Sequence, residues 1–457
     1  MVARRTARSL PAGLLLGLGL FLYFSVWAFL KPPLQSPDEG QHLVRALAVP
    51  SYPWLAPGER LPIAPGALSP LALTPAPEPL ARLFNRRDLH LDARGVRELK
   101  ALEWSGARQA SAPVPVLSQA WSYPPLYHAG VFALGQGVTR VLALGPYASL
   151  FAFRLASVAL AAPLWVWVWR RLGQAEGLRP WRAVIFLSIT ANPMLAFLTA
   201  SVNPDAVFAP LGALALLATV ELLESRTRVP TALVIVLLAL LAKPTGLLLV
   251  AAIMATAAGA RFVLGWRPPH TLSTLAVLAM AAAVAVAGFY AWSPARTYAA
   301  TIQAGPDAVG AVRWLWRVWK SYWGTPGYLD YWLSNGWYVG LTAIWLANGL
   351  LALWGWRHEH ESTRRASRAF AAAAVIFAAG VVGGSLASIP GLEFNVQGRY
   401  LLPVGLGIAV VGVHRWPAAA WGFVGFLAAF HLALAHESVV RYFGGDYRLL
   451  LQSLPWT

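Results

Sequence analysis

The sequence contains no cysteine among its 457 residues, and charged residues make up only 12% of it. The absence of cysteine excludes disulfides and thiolate metal sites. Soluble domains are roughly one quarter charged, so the low charged fraction and the mean hydropathy of +0.55 exclude an ordinary soluble protein. Most of the chain must therefore lie in lipid.

Acidic residues are also scarce, with 19 Asp and Glu against 36 Lys and Arg, which gives a net charge of +17. In a soluble protein such a balance would suggest nucleic acid as a partner. Here the arginines lie in short connections between apolar runs, where they orient helices in a membrane. We therefore expect membrane lipids as partners and no nucleic acid.

Apolar runs close to the roughly 20 residues that cross a bilayer recur along the whole chain. They fall near 10–30, 148–169, 183–200, 206–223, 230–242, 245–263, 271–292, 337–356, 369–388, 400–413 and 417–435. The first run follows Arg4, Arg5 and Arg8 and ends without a small-residue cleavage site, which predicts an uncleaved signal anchor. The sequence thus predicts a single all-α polytopic membrane domain over residues 1–457, with about 11 transmembrane helices.

The basic connections set the predicted orientation. Placing them in the cytoplasm puts the N-terminus inside and the C-terminus in the periplasm of an inner membrane. A further apolar stretch at 123–144 must then lie on the outer surface as an interfacial or re-entrant helix. Three long outer segments follow from this map: a first periplasmic loop at 31–147 containing interfacial helices, a second at 293–336, and the tail from His436.

Ser36-Pro37-Asp38-Glu39 follows directly on the first predicted span. One interpretation is structural, with Ser36 as the N-cap of a helix and Glu39 completing a capping box. The other is functional, because His42 lies one helical turn after Asp38, and this polar cluster could accept a proton or bind a cation.

Three further sites fall at outer ends of predicted spans. Asp205, in Asn203-Pro204-Asp205, either follows a simple turn or is a functional carboxylate at the membrane boundary. Lys243 either extends toward the interface or binds a phosphate. Arg399 either anchors to lipid headgroups or clamps a phosphate through two hydrogen bonds. The predicted orientation places these three sites and Asp38 on one surface.

The order of these motifs resembles a bacterial family of predicted polytopic membrane proteins with a domain of unknown function, which groups with the GT-C glycosyltransferases. The resemblance covers most of the chain. The residues that carry it are Ser36-Pro37-Asp38-Glu39-Gly40-Gln41-His42, Tyr123-Pro124-Pro125-Leu126-Tyr127, Asn203-Pro204-Asp205, Lys243-Pro244, the stretch 322–331 and Gln397-Gly398-Arg399-Tyr400-Leu401-Leu402-Pro403.

This resemblance implies a GT-C-like bundle that moves a sugar from a polyprenyl-phosphate donor to a glycan, lipid or protein acceptor outside the cytoplasm. Asp38, with Glu39 beside it, and Asp205 would be catalytic, and Asp38 would deprotonate the acceptor hydroxyl. Lys243 and Arg399 would bind the donor phosphate. The residues expected to support the site or bind substrate are His42, Tyr123, Tyr127, Asn203, Gln397 and Tyr400.

A divalent cation such as Mg²⁺ or Mn²⁺ could be held by Asp38, Asp205 and His42, although nothing in the sequence requires one. Two other function classes stay open. A transporter or flippase would carry charges and broken helices near the middle of the bilayer. A structural partner in an envelope-polymer assembly would need none of these residues for chemistry.

Overall fold

The computed structural model describes residues 9–50, 90–101, 123–175, 177–223, 229–243, 245–262, 308–325, 332–355, 361–388, 397–412 and 417–457. These residues are helical, with no β-strand among them, which confirms the predicted all-α class. The α-helices are α1 (Ser9–Phe29), α2 (Glu39–Ala48), α3 (Ala93–Lys100), α4 (Pro125–Val141), α5 (Pro146–Gln174), α6 (Arg182–Thr190), α7 (Pro193–Thr199), α8 (Asp205–Leu223), α9 (Val229–Ala242), α10 (Gly246–Phe262), α11 (Ala308–Trp323), α12 (Asn335–Gly355), α13 (Glu361–Ser388), α14 (Gly405–Gly412), α15 (Pro417–Phe443) and α16 (Tyr447–Gln452). Short 3-10 helices lie at Arg179–Trp181 and Gly398–Val404.

Among the described residues, three helices have the length and composition to cross a membrane, through the segments Ala12–Phe29, Tyr147–Gln174 and Ala418–Phe443. The pair α6 and α7 would add a fourth if the two helices form one bent span. Shorter apolar segments lie at Pro230–Ala242, Gly246–Gly259, Ser367–Val381 and Gly398–Val410. The fold is thus that of a membrane protein with apolar helices. The span predicted at 271–292 lies outside the described residues.

The predicted span at 183–200 is not continuous, because α6 and α7 are bent by 65° at the break between them. Pro193 begins α7, and proline cannot donate the backbone hydrogen bond that would continue the preceding helix. Asn192 caps α7 by accepting from the Leu195 N–H at 3.1 Å, and its amide donates to the Tyr322 carbonyl in α11 at 3.0 Å. The break is therefore fixed by contacts with another helix.

Helix α5 packs against α1, α4 and α8. The 3-10 helix Gly398–Val404 packs against both α8 and α11, and α2 packs against α4. These contacts bring the segment after α1, the start of α8 and the 3-10 helix to one region of the molecule. The residues predicted to carry function lie on these elements or directly beside them, except Lys243. Lys243 directly follows α9, which packs against α8.

Candidate functional site

The connection between α1 and α2 is held by a buried lysine. Lys31 Nζ donates to Ser36 Oγ at 2.6 Å, to the Phe197 carbonyl at 2.7 Å and to Ser201 Oγ at 2.6 Å. Burial, followed by the positive charge of Arg154, holds the pKa of Lys31 well below its usual range. These three bonds use all the N–H groups of the ammonium and tie the connection to α7 and the residues after it.

The predicted capping box at the start of α2 is wrong. Helix α2 begins at Glu39, and its N-cap is Asp38, which makes no side-chain capping bond. Ser36 Oγ instead contacts Lys31 and Ser201, so it is not available as a cap. Asp38 has a φ of 59°, a left-handed conformation that costs a non-glycine residue roughly 1–2 kcal/mol. The surrounding contacts must hold Asp38 in this position.

Glu39 is bound by Arg154 of α5 through two parallel bonds, Nε to Oε1 at 2.6 Å and Nη2 to Oε2 at 2.7 Å. The other donors of the guanidinium meet the carbonyls of Ala28, Lys31 and Pro32 at 2.8–2.9 Å. Burial is the largest single effect and opposes ionisation of Glu39. The charge and hydrogen bonds of Arg154, the Lys31 charge and the Val202 N–H together outweigh it and hold the pKa of the carboxyl below its usual range. This arrangement indicates a structural clamp between α5 and the segment after α1.

Asp38 faces a different partner. Its Oδ2 accepts a hydrogen bond from Arg399 Nη2 at 2.5 Å, and Arg399 Nη1 lies 3.4 Å from the Pro37 carbonyl. The Arg399 side chain is only 3% exposed, whereas that of Asp38 is 36% exposed. Two residues 361 positions apart therefore form one ion pair, and its carboxylate end remains accessible.

A second ion pair joins Asp205 and Lys243, with Nζ 2.5 Å from Oδ1 and both side chains buried. Asn203 supports it, because its Oδ1 accepts from the Asp205 N–H at 3.0 Å. The Asn203 amide also donates to the Pro37 carbonyl at 3.2 Å. Pro37 therefore links the Asp205 turn to Arg399, which lies beside the same carbonyl.

The Tyr400 ring lies close to both cations. Its ring centroid is 4.7 Å from Lys243 Nζ and 5.3 Å from Arg399 Cζ. The two cationic centres are therefore no more than about 10 Å apart, the sum of these distances. A phosphate with its attached sugar is of this size, so one ligand could contact both.

His42 and His128 form a buried pair beside these residues. His42 Nδ1 lies 3.2 Å from His128 Nε2, and the His42 ring packs edge-on against Tyr123 with centroids 4.8 Å apart. Burial, followed by the positive charges of Lys243 and Arg399, holds the pKa of His42 well below its usual range. Burial, followed by the neighbouring His42, lowers the pKa of His128 in the same way. Both rings are therefore neutral near pH 7.

This histidine pair predicts acid sensitivity of the fold. Below pH about 6.5 the unfolded chain binds protons at His42 and His128 that the folded protein does not bind, so stability falls as the pH falls. We expect on the order of 1 kcal/mol lost per histidine per pH unit. Thermal unfolding in detergent at pH 7.5 and 5.5 measures this loss. The His42→Gln/His128→Gln variant should lose less on acidification, and an equal loss in both proteins would contradict the prediction.

Tyr127 and Gln397 complete the predicted residues. Tyr127 OH lies 2.5 Å from Ser157 Oγ in α5, so this side chain supports the packing of α4 on α5. Gln397 precedes the 3-10 helix, and its buried Oε1 has no hydrogen-bond partner within the described part of the chain. The region brings together nearly all the predicted residues, whereas Glu39 and Tyr127 face α5.

The described residues contain no group of three or more His, Cys, Asp or Glu side chains that could hold a metal ion. The expected ligands are engaged elsewhere: Asp38 pairs with Arg399, Asp205 pairs with Lys243, and His42 contacts His128. The two neighbouring cations would also repel a divalent ion. These residues therefore do not fit the Mg²⁺ or Mn²⁺ site.

Sequence reasoning missed Arg154 and His128. Arg154 is the only charged residue between Arg140 and Arg170, and a single charge in an apolar run is a signal for a buried partner. His128 directly follows the Tyr-Pro-Pro-Leu-Tyr motif but gave no comparable signal. Its importance depends on the packing of α2 on α4, which no local pattern reveals.

The helices and the polar contacts at their ends define a helical membrane protein with a cluster of paired charges. The chain belongs to the family described as "Predicted membrane protein (DUF2142)", whose model matches residues 21–408. No curated protein and no solved structure matches the chain. The resemblance to a membrane protein family is thereby confirmed, and the relation to GT-C glycosyltransferases stays a prediction.

Proposed function

We propose that the protein is a GT-C-type glycosyltransferase of the bacterial inner membrane. It takes a sugar from a polyprenyl-phosphate-type donor and passes it to an acceptor on the periplasmic or extracellular side. The proposal includes a multi-pass bundle of about 11 transmembrane helices, with the N-terminus in the cytoplasm and the C-terminus in the periplasm. In this arrangement α2 and the interfacial helix α4 belong to the first outer segment, residues 31–147.

One observation carries the proposal. Within the described residues, Arg399 Nε and Asp205 Oδ2 are buried and have no hydrogen-bond partner. Leaving a buried charged group partly unsatisfied costs several times the value of an ordinary hydrogen bond. A phosphate oxygen would accept from Arg399 Nε, and a sugar hydroxyl would donate to Asp205 Oδ2. A sugar phosphate offers both groups in one ligand, and this favours it over a simple anion or a neutral sugar.

The charges around this region also suit a leaving phosphate. Lys243 and Arg399 both lie close to the Tyr400 ring, and each retains donors beyond its carboxylate partner. In a single displacement, the acceptor oxygen attacks the anomeric carbon and the bond to the phosphate oxygen breaks. The electron pair of that bond stays on the phosphate, where the two cations stabilise it. Attack opposite the phosphate inverts the anomeric configuration.

Asp38 is suited to bind the acceptor. Its side chain is 36% exposed, and Arg399 holds only one of its oxygens, so the other can accept a hydrogen bond from the attacking hydroxyl. Arg399 would then contact both the donor phosphate and the residue that orients the acceptor. This shared contact would place the two reacting groups next to each other.

A second candidate function is a transporter or flippase of a lipid-linked substrate. The observation that favours it is the 65° break between α6 and α7, since broken helices occur in transporters. Both functions would use the same phosphate contacts. They differ in whether the bond between sugar and phosphate is broken.

Substitutions at the two ion pairs test the proposal. Lys243→Gln and Arg399→Gln should each weaken binding of undecaprenyl phosphate by roughly 10- to 100-fold, because a charge-assisted hydrogen bond contributes about 1.5–3 kcal/mol. Asp38→Asn keeps its shape and should bind this lipid normally, but turnover should fall by roughly 100-fold. Binding is measured in lipid nanodiscs. Turnover is measured as the transfer of label from a panel of radiolabelled undecaprenyl-phosphate sugars to isolated envelope.

The matched control is Arg94→Gln, which removes one side of an exposed ion pair outside this region and should change neither quantity. Full turnover by correctly inserted Asp38→Asn protein would reject the enzyme. Movement of the labelled lipid between leaflets with its sugar still attached would favour the transporter.

A further inference from the structure

The two buried histidines, His42 and His128, are titratable groups that belong to neither of the two ion pairs. His42 is 2% exposed and His128 is fully buried. They come from different helices, α2 and α4, and their facing nitrogens are 3.2 Å apart. The second ring nitrogen of His128, Nδ1, lies 3.3 Å from the Pro124 carbonyl. A chain of three groups therefore runs from the start of α4 to His42.

The direction of this chain follows from the carbonyl, because a carbonyl oxygen can only accept a hydrogen bond. His128 Nδ1 must then carry the proton, and in a neutral ring this leaves Nε2 of His128 as an acceptor. His42 Nδ1 therefore donates to His128, and Nε2 of His42 carries a free electron pair. Both rings adopt the Nδ1–H tautomer, which is the less common one for neutral histidine in water.

His42 lies where such an electron pair could be used. It is one helical turn after Asp38, and its backbone N–H bonds to the Asp38 carbonyl at 2.9 Å. The His42 ring also packs against Tyr123, with ring centroids 4.8 Å apart. Arg399 and Lys243 are close enough for their charges to act on the His42 ring. The ring therefore borders the region in which the donor phosphate and the acceptor hydroxyl would meet.

We propose that Nε2 of His42 takes the proton of the acceptor hydroxyl, and that His128 is the positioning residue that fixes its tautomer. This role rests on the proposed transferase function. Asp38 is less suited to keep that proton, because protonation would break its ion pair with Arg399. A base held in place by a third group is the arrangement that activates weak nucleophiles in many enzymes.

In the proposed step, the O–H bond of the acceptor breaks and its proton goes to His42 Nε2, while the oxygen forms the new bond to the anomeric carbon. The bond between that carbon and the phosphate oxygen breaks, and its electron pair leaves with the phosphate. The resulting imidazolium of His42 returns its proton to water after the products leave. Nδ1 of His42 keeps its bond to His128 throughout.

Nuclear magnetic resonance of the ¹⁵N-histidine-labelled full-length protein in detergent tests the tautomers directly. Both rings should be neutral and in the Nδ1–H form at pH 7, with assignments made from His42→Gln and His128→Gln proteins. In the His128→Gln protein, the His42 ring should lose its fixed tautomer. An Nε2–H signal for either ring in the wild-type protein would overturn the proposal, whatever the enzyme does.

Kinetics with the same panel of labelled undecaprenyl-phosphate sugars test the role. His42→Gln should lower kcat by roughly 100-fold or more, and His128→Gln by roughly 10-fold, with undecaprenyl phosphate binding unchanged. The matched control is His436→Gln, which changes an exposed histidine and should have full activity. Full kcat in the His42→Gln protein would reject its role while leaving the transferase intact. Absence of turnover in the wild-type protein would reject both.

Discussion

Arg154→Leu is expected to destabilise the protein by about 3–5 kcal/mol, because it leaves the Glu39 carboxylate buried without its partner. The same change removes donors from three backbone carbonyls at the end of α1. We expect a large loss of monodisperse protein after detergent extraction and a lower unfolding temperature. Fluorescence-detected size exclusion and thermal unfolding measure both effects.

The exposed pair Arg94 and Glu98 is a suitable comparison, since their side chains are 80% and 32% exposed. Removing Arg94 should cost less than about 1 kcal/mol. The double change Glu39→Leu/Arg154→Leu should recover part of the loss, because no unpaired charge remains buried. Wild-type stability of the Arg154→Leu protein would show that the clamp is not needed.

This prediction also separates the two neighbouring carboxylates. Glu39→Gln should act mainly on stability, whereas Asp38→Asn should act mainly on turnover. The GT-C resemblance implies a catalytic Asp38 with Glu39 beside it. The full set of contacts that Glu39 makes with Arg154 instead favours a structural role.

Gly398→Ala is expected to be the second most damaging change, with a cost of about 3 kcal/mol or more. A Cβ at this position would lie 2.1 Å from both the Tyr322 nitrogen and the Val318 carbonyl oxygen of α11. These are backbone atoms, so the 3-10 helix would have to move away from α11. Arg399 follows directly and would be displaced from Asp38. The unfolding temperature should therefore fall, and the affinity for undecaprenyl phosphate should also fall.

Gly425→Ala in α15 is the matched control. A Cβ at this position would meet no atom within 4 Å. Alanine inside a helix is favoured over glycine by about 1 kcal/mol, so the control should be as stable as the wild type or slightly more stable. Normal lipid binding by the Gly398→Ala protein would mean that the close packing against α11 does not position Arg399.

The sequence was sufficient to predict the helical class and many helix positions, because apolar runs of this length have few alternatives in a membrane. The break inside 183–200 could also have been predicted from the sequence, since Pro193 interrupts that run. The bend of 65° could not be predicted, because it depends on the contact between Asn192 and α11.

The polar residues of the candidate site were found from their positions at predicted helix ends, but their pairings were not. Asp38 could have bonded to several cations, and only the packing selects Arg399. The capping prediction failed for the same reason. Lys31 binds Ser36, and this cannot be inferred without knowing that Phe197 and Ser201 provide its other two partners.

The hydrogen bonds that hold the α1–α2 connection determine how a large substrate would meet the candidate site. Lys31 and Arg154 bind this connection to α7 and α5 through several hydrogen bonds. The backbone that carries Asp38 is therefore held in place. A lipid-linked substrate that reaches the ion pairs would therefore meet the Asp38 carboxylate at a fixed position, because the bonds that hold this connection come from α5 and α7 and not from the ligand.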